Sequence, residues 1–350
     1  MSYRGDNEAL VEIDQDGRVG RRWTYKQLYE DSLRCACALA SRFKKGAHIV
    51  IWSPNSPEWV LLEYGAAMAG LVLVTANPAL QEKELRYILE KSDEVGLFLV
   101  SEFRGNPMSE IAKDATSGND AIREIVYMTD HSALFYNPTA NSSLPNIKPD
   151  YAAQIQYTSG TTGKPKGCML SHEYELMCGD VYANIGAPIS LSFGHDKILN
   201  PLPSYHINAG IVTFFAAMIT GNSLIQPERF SISNWWEDIN ETEATIFHYL
   251  GVIIAVLLSD QSTTKASLGK LRVGFGAGVE PALHQEFEAR FGIPLIECWG
   301  MTEMCRVLYN IKEPRQVHTR AMGRPREDLE VKVVDKNDDE VARGRPGEMV

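Results

Sequence analysis

The decisive stretch of this chain reads Tyr157-Thr158-Ser159-Gly160-Thr161-Thr162-Gly163-Lys164-Pro165-Lys166-Gly167. Glycines let a backbone turn and bring its N–H groups against a ligand, hydroxyls add rotatable donors, and lysines add positive charge. Together they make a cradle for phosphates. It is not a Walker A loop, which needs four residues between its glycines and a Ser/Thr after the lysine. Here Thr161 and Thr162 alone separate Gly160 from Gly163, and Pro165 follows Lys164. The competing reading is a flexible linker. The apolar flanks at 152–157 and 168–170 argue against it.

Working outward from the loop, strand patterns alternate with helical ones. Before it, a capping box at Thr24 and Gln27 opens a helix over 24–43, and 48–52 is a buried strand. Ser56 and Pro57 start a second helix ending near Ala69. Strands at 71–75 and 96–100 flank a helix at 82–91. A polar Asn/Pro/Ser-rich connection covers 137–149. Beyond it, strands at 154–158, 198–201, 223–226, 245–249, 271–275 and 294–298 alternate with helices at 172–185, 207–220, 232–241, 251–259 and 281–291. This order predicts an α/β fold with two parallel, helix-flanked sheets whose ligands bind beyond the carboxyl ends of the strands. The expected division is one α/β subdomain over 1–150 and a second, carrying the site, over 151–322. Antiparallel patterns at 330–334 and 347–350 begin a β subdomain at 323–350.

The composition sets bounds on function. A chain of 350 residues, 44% apolar, has material for a large core without staples. Its net charge of −11 gives no general field for gripping nucleic acid or an anionic membrane, so any polyanion must be drawn by a local site. The six cysteines show neither CxxC pairs nor zinc-type spacing. They imply reduced thiols in a cytoplasmic protein. The first residues lack the apolar core of a secretory signal, and the runs 209–219 and 250–258 are too short to span a bilayer.

Three further segments end predicted strands and converge with the loop. Pro201 to Gly210 places His206 and Asn208 at the start of an apolar helix. Gly274-Phe-Gly276-Ala277-Gly278 offers bare backbone to a flat ligand. In Glu297-Cys298-Trp299-Gly300-Met301-Thr302-Glu303, a nucleotide site would use Trp299 to stack on a base, Thr302 to bond a phosphate and Glu303 to hold a hard cation such as Mg²⁺. Gly274-x-Gly276 with Glu297 downstream also imitates a dinucleotide fingerprint, but Val279 stands where its third glycine belongs.

Taken together, these residues resemble the acyl-adenylate-forming superfamily of acyl-CoA synthetases, luciferases and peptide-synthetase adenylation domains. Residues 158–167 match its TSGTTGxPKG loop, and 299–303 match its aromatic-Gly-x-Thr-Glu motif, with tryptophan where tyrosine is more usual. Residues 203–209 are similar to the P-L-F-H-x-N-A segment of acyl-CoA synthetases, with Ser204 and Tyr205 as departures. Trp23 to Leu28 and the glycines at 323 and 347 keep the family's order of landmarks. The stretch 96–108 is most similar to synthetases of fatty and related acids.

The resemblance implies ATP, Mg²⁺ and coenzyme A as reactants and helpers, with a carboxylic acid as substrate. It assigns Thr158, Ser159, Gly160, Thr161, Thr162, Gly163, Lys164 and Lys166 to the β- and γ-phosphates and Thr302 to the α-phosphate. Glu303 falls to the metal. It places Gly276, Ala277, Cys298, Trp299 and Gly300 around adenine and His206 beside the acyl carboxylate. Asn208, Ile211, Tyr249, Gly251 and Met301 are then expected along the acid's tail, and their low charge favours an apolar or weakly polar acid. The family's ribose-binding aspartate and mobile lysine-bearing domain lie beyond the point corresponding to Val350. The expectation is therefore a large N-terminal domain, incomplete and of little activity alone. The alternatives are a non-catalytic nucleotide- or acyl-adenylate-binding fragment, and an adenylating enzyme with another acyl acceptor.

Overall fold

A computed structural model describes residues 5–92, 94–137, 143–158, 165–261 and 268–350. The chain opens with a hairpin, β1 (Glu8–Ile13) and β2 (Val19–Thr24), which the sequence patterns did not reveal. Helix α1 (Tyr25–Arg42) follows at the expected capping box. The Gln27 N–H donates to Thr24 Oγ1 at 3.2 Å, and the Thr24 N–H donates back to Gln27 Oε1 at 2.9 Å. Such a cap is worth about 1 kcal/mol.

Next come β3 (His48–Trp52), α2 (Pro57–Ala69), β4 (Val72–Ala76), α3 (Glu82–Ser92), β5 (Glu94–Leu99), α4 (Met108–Thr116) and β6 (Glu124–Tyr127). Ser56 caps α2, Pro57 occupies its first position, and Gly70 ends it at φ 68°, a conformation that disfavours side chains. A hairpin of β7 (Ala152–Thr158) and β8 (Lys166–Ser171) then leads into α5 (His172–Ala183).

Strand β9 (Lys197–Leu199) precedes the expected helix at 207–220, which is in fact a π-helical turn over Asn208–Thr213 running into α6 (Phe214–Thr220). The remainder is β10 (Ser223–Pro227), α7 (Trp235–Thr242), β11 (Ile246–Leu250), α8 (Gly251–Ser259), β12 (Val273–Ala277), α9 (Pro281–Phe291), β13 (Leu295–Met301) and β14 (Cys305–Tyr309). Three two-residue strands close the described chain: β15 (Arg324–Pro325), β16 (Val333–Val334) and β17 (Glu348–Met349). The antiparallel pair expected from 330–334 and 347–350 is there, but much shorter, because most of those residues are exposed.

Two sheets form. One runs β6-β5-β3-β4-β7-β8, parallel except for β8. The other runs β15-β14-β13-β12-β11-β9-β10-β1-β2, parallel from β13 to β1 and antiparallel at both ends. Residue 150 does not separate them: β1 and β2 belong to the second sheet and β7 and β8 to the first. Pairing β1 with β10 needs a partner some two hundred residues away, which local patterns do not carry.

The core has three parts, and they fix five layers. The largest cluster joins Ile51, Leu73 and Phe98 of the first sheet to Leu10, Ile246 and Phe275 of the second through Leu39, Trp59, Tyr182 and Phe214. Helices α1, α2, α5 and α6 are therefore the shared middle layer. A second cluster covers the far side of the second sheet with α7, α8 and α9, and a third covers the far side of the first with α3 and α4. Strands buried on both faces explain the unbroken apolar runs such as Ile49–Trp52.

Candidate active site

Strands β7 and β8 lead into and out of the segment expected to hold phosphates. Thr158 pairs with Lys166 and Tyr157 with Gly167, and the Thr158 hydroxyl lies 3.5 Å from the Lys166 carbonyl. Ser159, Gly160, Thr161, Thr162, Gly163 and Lys164 lie outside the described residues. Helix α3 fixes both feet of the loop. The Tyr87 hydroxyl donates to the Pro165 carbonyl at 3.2 Å, and Ser92 Oγ and the Tyr157 hydroxyl share a 2.7 Å hydrogen bond. Lys166 is exposed.

The second motif crosses from β13 into β14. Cys298 is buried, Trp299 and Thr302 are half-buried, and Gly300, Met301 and Glu303 are exposed. A Cβ on Gly300 would stand 2.0 Å from the Cys305 carbonyl oxygen, so this turn requires glycine. Cys305 itself takes φ 59°, a left-handed conformation costly for a side chain. The turn is tied to the helix that follows the phosphate hairpin, since the Tyr174 hydroxyl of α5 donates to the Thr302 carbonyl at 2.6 Å.

The Cys168 thiol on β8 has a raised pKa, chiefly through burial and then through the negative charge of Glu303. The Glu303 carboxylate therefore acts on the strand that returns from the phosphate loop, two residues past Lys166.

The remaining candidates lie at the carboxyl ends of adjacent parallel strands β13, β12, β11 and β9. The segment after β9 is braced from both sheets. Ser204 gives its N–H and its hydroxyl to Asn55 Oδ1 at 2.8 and 2.9 Å, Gln226 donates to Ser204 Oγ at 2.8 Å, and Thr75 donates to the Tyr205 carbonyl at 3.2 Å. His206 leaves this brace with an exposed ring, while the protein packed around it lowers its pKa below the ordinary value. Tyr205 and Val252, next to His206 and Gly251, line a cleft of about 680 Å³ that also takes in Phe103 and Arg104. Asn208 begins the π-turn, and its Oδ1 accepts from His248 Nδ1 at 2.9 Å and from Asn200 at 3.3 Å.

Two expected tail contacts do not join this group. Ile211 is fully buried in the core. So is Tyr249, whose hydroxyl donates to Glu297 Oε1 at 2.7 Å while Glu297 Oε2 accepts the Gly278 N–H at 2.8 Å. Glu297, the acid of the imitated dinucleotide fingerprint, is thus used inside the fold. The glycines also have internal reasons: a Cβ on Gly276 would stand 2.1 Å from the Tyr249 carbonyl oxygen, and one on Gly274 2.6 Å from Leu295 and Phe247. Gly278, at φ 77°, faces open space.

Among the described residues no three carboxylates, histidines or cysteines gather as a metal cluster. A single exposed carboxylate, Glu303, suits Mg²⁺, which keeps waters and binds through one or two carboxylates together with substrate phosphates. Tyr174, which holds the Thr302 turn, was not among the residues expected from the sequence, and its spacing carried no signal.

The model for the family described as AMP-binding enzyme matches residues 2–350. The chain belongs to that family. A sulfoacetate–CoA ligase of Cupriavidus necator is 32% identical over 315 residues, covering 89% of this chain. This chain spans 60% of that relative's length. A crotonobetaine/carnitine–CoA ligase of Citrobacter koseri is 26% identical over 354 residues, covering 99% of this chain and 68% of its own. The fold matches the inhibitor-bound N-terminal domain of FACL13 from Mycobacterium tuberculosis with a TM-score of 0.83 at 24% identity, over 97% of this chain and 83% of that one. It also matches o-succinylbenzoate coenzyme A synthetase (MenE) from Bacillus subtilis in complex with AMP, with a TM-score of 0.81 at 23% identity, over 99% and 84% of the two chains. No described helix is long and apolar enough to cross a membrane.

Proposed function

We propose that this chain carries the adenylating site of an AMP-forming acyl-CoA synthetase. A carboxylate oxygen attacks the α-phosphorus of ATP, the bond to the bridging oxygen breaks, and pyrophosphate leaves. The thiol of coenzyme A then attacks the acyl carbon, with AMP as the leaving group. The observation that carries this reading is the Tyr174 hydrogen bond, which joins the helix after the β7–β8 hairpin to the turn bearing Thr302 and Glu303.

Both reactants of the first step are anions, so positioning and charge neutralisation must supply most of the rate. In this reading the hydroxyls of 158–162 with Lys164 and Lys166 hold the β- and γ-phosphates, and Thr302 bonds the α-phosphate. Gly276, Ala277, Cys298, Trp299 and Gly300 border the adenine. Mg²⁺, held by Glu303 and the phosphates, would supply charge neutralisation. His206, its pKa below the ordinary value, is neutral at pH 7 and donates its ring N–H to the carboxylate without adding charge. Asn208, Gly251 and Met301 border the acid. The six free thiols accord with a reducing, cytoplasmic setting.

The test is mass spectrometry of products from the polypeptide that carries this chain, given ATP, coenzyme A and a panel of organic acids. An acyl thioester with stoichiometric AMP supports the reading. ADP as product, or AMP release that needs no acid, contradicts it.

A further inference from the structure

Arg306 is the second residue of β14, opposite Gly300 of the strand-end motif. Its side chain turns inward and is 5% exposed. The guanidinium carbon lies 4.0 Å from the ring centroid of Phe275 on β12 and 5.0 Å from that of Tyr182 on α5. Both terminal nitrogens, Nη1 and Nη2, are buried without a hydrogen-bond partner. No carboxylate among the described residues pairs with it. Other inward-turned arginines of this chain have one: Arg272 bonds both oxygens of Asp196, and Arg315 both oxygens of Glu288.

Aromatic faces offset part of the cost of a buried cation, but free N–H donors and a missing counter-charge are among the costliest arrangements in a protein interior. The neighbouring Cys305 thiol has its pKa lowered to about 7, first by its hydrogen bond with Cys178 and then by the Arg306 charge, yet it bonds neither terminal nitrogen. His248, fully buried, has its pKa held well below the ordinary value by burial and then by the Arg306 charge, so it is neutral. Its Nδ1 donates to Asn208 Oδ1, which leaves Nε2 to accept the Tyr182 hydroxyl at 2.8 Å.

We propose that Arg306 is the counter-ion for a second anionic group, carboxylate or sulfonate, on the acid that this site activates. This rests on the ligase reading and narrows its substrate class. Position separates the group from the phosphates. Tyr182 lies eight residues after Tyr174 on α5, about 12 Å along the helix from the residue that holds Thr302. The chain Tyr182–His248–Asn208 ends two residues from His206, on the side given to the acid. A guanidinium matches a planar or tetrahedral oxyanion with two parallel hydrogen bonds, which a lysine does not. The low charge of the expected tail contacts argued for an apolar acid, and this buried cation reverses that preference.

The experiment is acid-dependent ATP–pyrophosphate exchange with matched acids, succinate against butyrate and sulfoacetate against propionate, for the natural protein, Arg306→Leu and Arg306→Lys. The natural protein should favour the doubly charged acid of at least one pair by about 100-fold in kcat/KM, and Arg306→Leu should lose that preference. Arg306→Lys should keep part of it. Which pair responds distinguishes carboxylate from sulfonate. A preference for butyrate and propionate, or an unchanged ratio in Arg306→Leu, overturns the proposal while exchange itself upholds the ligase reading. If no acid supports exchange, calorimetric titration of succinate and sulfoacetate decides. Binding lost in Arg306→Leu supports the proposal, and equal or absent binding in both proteins overturns it. Thermal unfolding is the folding control, with Arg306→Leu expected to melt at the same or a higher temperature than the natural protein.

Discussion

The Tyr174 hydroxyl, on the first turn of α5, donates a 2.6 Å hydrogen bond to the Thr302 carbonyl. Ser171, the last residue of β8, caps the same helix by accepting the Tyr174 N–H at 3.1 Å. One residue therefore joins the strand returning from the phosphate loop to the turn bearing Thr302 and Glu303. Small errors in placing such groups are costly, because positioning supplies much of the rate in a reaction between two anions.

Tyr174→Phe should cost about 1 kcal/mol of stability in urea unfolding, the net worth of one hydrogen bond. Adenylation should fall about tenfold in kcat/KM, because the turn is no longer held. Equal stability with equal activity would show that the tie does nothing.

Glu297→Gln should destabilise the fold by about 2 kcal/mol in the same measurement. The carboxylate accepts two hydrogen bonds, from the Tyr249 hydroxyl and the Gly278 N–H, and an amide can accept only one while turning a donor toward the other. If Glu297 instead gripped a ribose, as the dinucleotide imitation would have it, nucleotide affinity would fall with stability unchanged.

Acid should weaken the fold through Glu58. Burial alone would raise its pKa, but hydrogen bonds from His131 and Arg21 outweigh this and hold it at about 2, from 4.5. A carboxyl with a depressed folded-state pKa stabilises above its unfolded value and loses that contribution as pH falls through the folded one. The loss should run from pH 4.5 down to 2 and amount to about 3 kcal/mol. Glu58→Gln should remove that limb from the unfolding profile.

Alkali should act through Glu63, in the middle layer behind β7. Burial pushes its pKa up to about 8, against hydrogen bonds from Trp59 and Gln154, and burial with the Glu63 charge also raises the neighbouring Glu175. The sign is opposite to that of Glu58: the contribution is full below 4.5 and is lost as pH rises through 8. Urea midpoints at pH 6, 7 and 8 should fall less steeply in Glu63→Gln than in the natural protein.

Much of this was legible in the sequence where local chemistry decides structure. The Thr24–Gln27 cap, Ser56 before Pro57 and the apolar run at 48–52 each act within a few residues, and each element formed where expected. The β1–β2 hairpin was not legible, since β2 is largely exposed and β1 is held by the distant β10. The internal need for Gly274 and Gly276 was not legible, because sequence shows a missing side chain and not the Leu295 or Tyr249 atoms that stand where it would be. Arg306 stood three residues past Glu303 as an ordinary charge. Only the pairing of β14 with β13 and the rings of Phe275 and Tyr182 mark it as buried.

The most direct test of the adenylating site is acid-dependent ATP–pyrophosphate exchange by the polypeptide that carries this chain, compared with its Glu303→Gln and Thr302→Val forms. Exchange that requires an organic acid, and that falls by about 100-fold or more in both variants with the fold intact, is the expected result. Exchange at the natural rate in both variants would contradict it.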